Sequence, residues 1–580
     1  MIALLASAHL ASAADTDWQR TLDAVVPSVV SLRVTAVRDF DTEDASVSQG
    51  TGFVVDAERG LILTNRHMVH AGPVIAQAVF ADHEEVPLRA VYRDPVHDFG
   101  LYAFDPALVR HQDVRALPLD PGGAKVGLEI RVVGNDAGEK ISILDGTLAR
   151  LDRNPPFYGS DTYNDVNTFY IQAASNTSGG SSGSPVVDQR GTVVALNAGG
   201  ATEAASSFYL PLDRVVRTLE LVREGRPITR GGLLTTFLLT PFDELRRLGL
   251  SPTAEDRARA AAHDRAVGML VVADVVPGSP AEEALTPGDV LVEVGGELIL
   301  GFAELEEVLD EHVGERLEVL IERGGTEVRS EIEVSDLQAL SPATFLEQGR
   351  AVFHDLSLLQ ARNHHIPVQG VYVAVSGYSW NAGDIPSSAL ITELDGERVP
   401  DLDTFQQLLE GKSDGQRMRV RFSMVDDIRE SYETVVVNDR RWHRMARCTR
   451  DDALGTWPCV ESPPPPPPVR PRPPERLPVL ADDRVSRRLA TALVLVEFDI
   501  PHPTAGVKDL NYVGVGTVID AERGLVLVDR DTVPVSLGDM TLTFAGTVRV
   551  PGHLVYLHPI HDLAVIGYDP SLLGDLPVSA

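Results

Sequence analysis

The 580-residue sequence predicts a mainly β chain divided into several domains. Three observations carry this. Short runs of Val, Ile, Leu and Thr recur, broken by Gly, Asp and Asn turn signals, which is the pattern of antiparallel barrels or sandwiches. One such block occurs twice: "GTGFVVDAERGLILTNRHMV" from Gly50 and "GVGTVIDAERGLVLVDRDTV" from Gly514 stand 464 residues apart, and the same offset aligns "YRDPVHDFGLYAFDP" from Tyr92 with "YLHPIHDLAVIGYDP" from Tyr556. The length also exceeds what one core can hold, so about three to five domains are expected.

Taken in order, "MIALLASAHLASAAD" has a short apolar core and then small residues, which predicts a secretory signal over 1–14 and a periplasmic or secreted protein. It lacks a positively charged start, so an intracellular chain is the alternative. Residues 15–225 form the first β-domain. Residues 226–342 read strand, short helix, strand, strand, helix, strand, and 343–445 repeat that order. Residues 446–480 are a linker ending in the polyproline run "ESPPPPPPVRPRPPERLP", a spacer that reaches about 50 Å at about 3.1 Å per residue. Its two cysteines, Cys448 and Cys459, either close a small loop in an oxidising compartment or stay as thiols. Residues 481–580 are the second copy of the β-domain, read as partial and degenerate. Asp531 stands there where the first copy has His67, and Ala580 is reached before any counterpart of Ser182, so at most the first half of a truncated domain is expected.

Composition excludes some function classes. A net charge of −33 disfavours nucleic acid and anionic membrane as partners, since both need clustered Lys and Arg. Beyond the N-terminus no stretch approaches the roughly 18 apolar residues of a spanning helix. No His or Cys spacing suits a metal, and no cofactor is expected.

The chemistry centres on "SNTSGGSSGSPVVD", residues 175–188. Gly and Ser are linker residues, but this run sits between two β-rich stretches, so the chain enters and leaves it as strand. A serine needs a base to take its proton and a third group to orient that base. His67 in "LILTNRHMVH" follows a strand, Asp98 in "DPVHDFGL" precedes one, and Ser182 comes third. This order is that of chymotrypsin-like double β-barrels. Gly179 and Gly180 permit a sharp bend, in which the N–H groups of Gly180 and Ser182 form the oxyanion hole. Asn176, six residues before the nucleophile, offers no carboxylate to select Lys or Arg, and "ALNAGG", with Leu196, Asn197 and Ala198, is the expected edge strand for substrate.

"TNRHMV", "DPVHDFGL" and "SGGSSGSPVV" followed by two mixed segments resemble the HtrA serine proteases, and "GNDAGEK", "RLDRN" and "RRLGL" bring the match nearest to the tandem HtrA-like proteases known from fungal nuclei. The resemblance implies PDZ domains at 226–342 and 343–445, with Gly231, Gly232, Leu233 and Leu234 of "RGGLLTTF" as the loop that captures a peptide C-terminus. It implies unfolded or damaged proteins as substrates, cut after small aliphatic residues, and leaves a homo-oligomer open. A nuclear location sits poorly with the export-like start.

Two rivals remain. Gly179–Gly183 also satisfies G-x-S-x-G with Ser181 as the nucleophile of an esterase, but that motif needs a following helix and a histidine last. A silent PDZ scaffold or chaperone is the other, since the second copy has already lost its base.

Overall fold

The computed structural model describes residues 18–135, 141–174, 179–201, 206–262, 267–467 and 483–580. The expected signal at 1–14 and most of the polyproline spacer lie outside them.

The first barrel closes in the order β1-β2-β3-β6-β5-β4, from β1 (Val29–Ala36), β2 (Ser46–Asp56), β3 (Leu61–Thr64), β4 (Val74–Val79), β5 (Glu85–Arg93) and β6 (Gly100–Ala103). The second closes as β10-β11-β12-β9-β8-β7, from β7 (Glu129–Gly134), β8 (Ser142–Arg153), β9 (Tyr170–Ala173), β10 (Pro185–Val187), β11 (Val193–Ala201) and β12 (Ser206–Leu210). Alternation turns one set of side chains into each barrel and another against its partner. Val29, Phe53, Val55, Leu63 and Tyr92 of the first barrel share one core with Val133, Val187, Val193 and Phe208 of the second. Helix Asp213–Glu224 ends the unit at Gly225, whose φ of +66° is the left-handed C-cap that glycine adopts without strain.

The next domain is a sheet with strand Thr235–Pro241 at its edge, beside helix Phe302–Glu311. The domain after it carries helix Leu358–His364 and packs on the first barrel. There the Asp41 amide donates to His354 Nε2 at 3.0 Å, and Phe40 meets Phe345 and Trp457. Its sheet runs past the expected boundary at 445. Strands Ala446–Thr449 and Cys459–Glu461 add to strand Thr344–Gln348, and Cys448 is bonded to Cys459. The start of the expected linker is thus a cross-linked hairpin. It escapes a sequence reading because "CTRDDALGTWPC" has turn residues and no alternating apolar run.

The C-terminal copy was expected as half a domain, and it closes by itself into a six-stranded barrel. Register confirms the repeat: Val29 pairs Phe53 in the first barrel and Leu493 pairs Thr517 in the last, each 464 residues on. One wall differs. Leu493, Ile519, Leu527 and Tyr556 correspond to Val29, Val55, Leu63 and Tyr92, which lie buried under the second barrel, yet here they are 38–48% exposed. The barrel docks instead on the preceding domain through Asp539, which accepts from Trp442 Nε1 at 2.7 Å and pairs with Arg441 at 3.2 Å.

Candidate active site

His67 sits on a single turn, Arg66–Met68, after β3, and Asp98 on the loop entering β6. His67 Nδ1 lies 3.0 Å from both Asp98 oxygens, and the His67 amide donates to Asp98 Oδ1 at 3.2 Å. Asp98 is fully buried, while the His67 side chain keeps 24% exposure. Burial pushes the Asp98 carboxyl up, but the charges of His67 and Arg66 and the hydrogen bond to the imidazole outweigh it, so its pKa lies below the ordinary value. Burial pulls His67 down. The Asp98 carboxylate overrides this and leaves the imidazole more basic than usual.

The glycine-rich turn enters β10, a strand rather than the helix an esterase elbow requires. Its two serines have separate environments. Ser181 is 2% exposed and tied in place by the Asn197 amide, which donates to Ser181 O at 2.7 Å and Oγ at 3.2 Å. Ser182 is half-buried, and its hydroxyl donates to Ala198 O at 3.4 Å in this conformation. The first barrel braces the turn across the seam: Thr51 Oγ1 donates to Gly180 O at 2.9 Å and Thr51 N to Ser182 O at 2.8 Å. The two ends of a peptide group point opposite ways, so the inward Ser181 carbonyl aims the Ser182 N–H outward. Gly180 and Gly183 take φ of +97° and +84°. A Cβ at Gly183 would lie 2.0 Å from Thr51 O.

Other expected site residues are placed differently. Asn176 lies outside the described residues. Leu196 and Ala198 are buried, and the Asn197 side chain is fully buried holding Ser181, so it is not a substrate contact. A bulge between Asn197 and Gly199 shifts this strand out of simple alternation. In the expected carboxylate loop, the Gly231 amide already donates to Asp310 Oδ1 at 2.9 Å, Gly232 is in a short strand pair, and Leu233 is core; Leu234 has a φ of +52°. Gly231 therefore offers nothing to a peptide carboxylate here.

The sequence reading missed the segment between β8 and β9. Tyr163 places its hydroxyl 2.9 Å from His67 Nδ1, with its ring stacked on the imidazole. Burial and the nearby Asp98 charge raise its pKa, so it stays protonated. Asn167 offers a peptide-like face to the edge strand Thr235–Pro241: Nδ2 donates to Thr235 O at 3.0 Å, and Oδ1 accepts from Phe237 N at 2.8 Å. "TYNDVNTF" reads as an ordinary polar loop, and no signal short of the fold marks it.

Residues 50–196 match the trypsin-like peptidase domain family, 271–323 the PDZ domain family and 339–413 a PDZ-like family. The pro-apoptotic serine protease NMA111 of Vanderwaltozyma polyspora is 43% identical over 561 residues, covering 96% of this chain and 57% of that protein. The chain belongs to the HtrA-like serine proteases. The NMA111 protein of Chaetomium globosum is 44% identical, with 97% and 55% covered. This HtrA-like chain spans little more than half the length of the curated relatives it matches. Among solved structures, the HtrA-type protease AlgW with decapeptide is 19% identical at a TM-score of 0.41, covering 55% of this chain and 98% of that one.

Proposed function

We propose that this HtrA-like chain is a serine endopeptidase acting by acyl transfer. The observation that carries it is the His67–Asp98 pair on one barrel together with a glycine turn on the other that the first barrel's Thr51 braces, whose half-buried serine is Ser182. Ser182 attacks the scissile carbonyl once its hydroxyl leaves Ala198 O for the imidazole. His67 takes the proton and returns it to the leaving amine. Asp98 holds the imidazole and stabilises its charged form, and the amides of Gly180 and Ser182 receive the oxyanion. Substrates are unfolded or damaged polypeptides. Export to an oxidising compartment fits the Cys448–Cys459 bond.

Peptide C-termini are captured by strand addition at Thr235–Pro241. Asn167 holds two backbone groups of that edge, so a peptide must displace it. Casein hydrolysis tests the assignment: Ser182→Ala and His67→Ala should abolish cleavage and Ser181→Ala largely keep it. A parent that never cleaves, even with C-terminal peptides added, overturns it in favour of a scaffold.

A further inference from the structure

Behind the His67–Asp98 pair lies a charged cluster that this mechanism does not use. Arg66, the neighbour of the base, is fully buried; its Nη1 donates to Val96 O at 2.8 Å, and its Nη2 lies 3.5 Å from Asp165 Oδ1. Asp165 comes from the β8–β9 loop of the opposite barrel and is 5% exposed. Its other oxygen accepts from the Asp98 amide at 3.0 Å and from the Tyr170 hydroxyl at 2.6 Å. The Arg66 guanidinium also covers the Tyr163 ring, 4.7 Å from its centroid, and that ring stacks on His67.

A triad split between two barrels works only while the barrels keep register, because small displacements of reacting groups cost large factors in rate. An ion pair serving the seam alone could sit anywhere along it. This one ends on the main chain of Asp98. The C-terminal copy holds the matching arginine in another arrangement. Arg530 occupies the equivalent of Arg66 but bonds other carbonyls of the matching loop, those of His558 at 3.0 Å and Pro559 at 3.3 Å, and donates its amide to Asp562 at 2.6 Å. The base is replaced there by Asp531.

We propose that Asp165 is a positioning residue for catalysis, which reaches across from the second barrel to clamp the Asp98 main chain and to offset the Arg66 charge beside His67. This rests on the serine endopeptidase reading. The groups facing His67 are Asp98 from the β5–β6 loop, Arg66 on its own turn, Tyr163 and behind it Asp165 from the β8–β9 loop, and Glu43, with its partners His70 and Arg93, from the β1–β2 loop. Removing the Asp165 charge leaves Arg66 with Asp98 and Asp94 alone, and the imidazole becomes harder to protonate.

The test is the rate at which a fluorophosphonate probe labels Ser182 in the full chain between pH 5 and 9. Labelling forms the Ser182 Oγ–P bond and breaks P–F; fluoride leaves, and the hydroxyl proton passes to His67. Asp165→Asn keeps an acceptor for the Asp98 amide and removes the charge. Its acid limb should move down by about 0.5–1 pH unit, its plateau rate should fall about tenfold, and Asp165→Glu should bring the limb back. An unmoved limb overturns the proposal, whether the plateau holds or falls with the melting temperature. If Asp165→Asn does not fold, Arg66→Met carries the test: removing the cation should move the limb upward, and an unmoved limb again overturns it. A parent never labelled at Ser182 overturns the endopeptidase reading itself, a result distinct from a labelled parent with an indifferent Asp165.

Discussion

Arg230 joins the first PDZ-like domain to the protease, and replacing it by alanine should loosen that joint. The guanidinium is 2% exposed and faces three carboxylates: Asp94 at 3.0 Å from the protease, and Asp310 at 3.1 Å and Glu306 at 3.3 Å from helix Phe302–Glu311. Breaking a buried ion pair by removing one partner costs about 3–5 kcal/mol, because the other charge stays buried. Here the burden is uneven. Arg214 still reaches Glu306 at 2.8 Å and Asp310 at 3.1 Å, whereas Asp94 keeps only neutral donors, the amides of Val96 and His97 and the Tyr92 hydroxyl. The lower end, about 3 kcal/mol, is therefore expected. In the parent, burial pushes the Asp94 carboxyl up, and the Arg230 charge outweighs it, leaving its pKa low. That group adds stability above its unfolded pKa and loses it as pH falls through the folded one. Without Arg230 burial prevails, the folded pKa rises, and the variant loses stability as pH climbs past about 4. Urea unfolding of parent and variant should thus show a deficit at pH 5 that widens at pH 8. A deficit below about 1 kcal/mol at pH 8, or one equal at both pH values, would refute the reasoning.

Other outcomes follow from the same geometry. Gly183→Ala puts a Cβ 2.0 Å from Thr51 O at a φ of +84°, so the nucleophile turn must shift; casein hydrolysis should drop at least about a hundredfold while the fold survives by circular dichroism. The Cys448–Cys459 bond closes a loop 11 residues long, which is worth about 3 kcal/mol of loop entropy; dithiothreitol should lower the melting temperature of the parent and leave that of Cys448→Ala/Cys459→Ala unmoved. Burial and the charges of Asp539 and Asp414 raise the Asp439 carboxyl to about 6, despite the Trp442 and Arg441 amides it accepts. Stability is lost as pH rises toward that value, so Asp439→Asn should gain about 1–2 kcal/mol at pH 7.5 and nothing at pH 4 in chemical unfolding. Asn167→Ala releases the edge strand, and a labelled C-terminal peptide should bind severalfold tighter by fluorescence anisotropy.

His67, Asp98 and Ser182 could be read from the sequence because each is bound to a local pattern: a polar residue just past an apolar strand, an acid just before one, and a serine in a glycine turn between two. Asn197 misled because it stands with Leu196 and Ala198 in a stretch that reads as an edge strand, while its amide turns inward onto Ser181. Arg66 and Asp165 were invisible for another reason. Their contact joins positions 99 apart, and nothing in "DTYNDVNT" distinguishes a loop packed among three domains from one in water. The single barrel expected at 481–580 is present, and its six strands satisfy one another's edges by closing.

The β8–β9 loop ties the base to both PDZ-like domains. A segment without regular structure must find partners for its backbone polar groups wherever it is buried. Here the carbonyls of Thr162 and Asn164 are taken by Asn363 and Arg362 of the second PDZ-like domain, and that of Val166 by His97, which also meets Glu306 of the first. Between those carbonyls stand Tyr163 and Asp165, whose side chains turn the other way, to His67 and to Asp98 and Arg66. Holding the carbonyls on one side thus fixes the side chains on the other. Both PDZ-like domains thus hold, from outside, a loop that reaches the base.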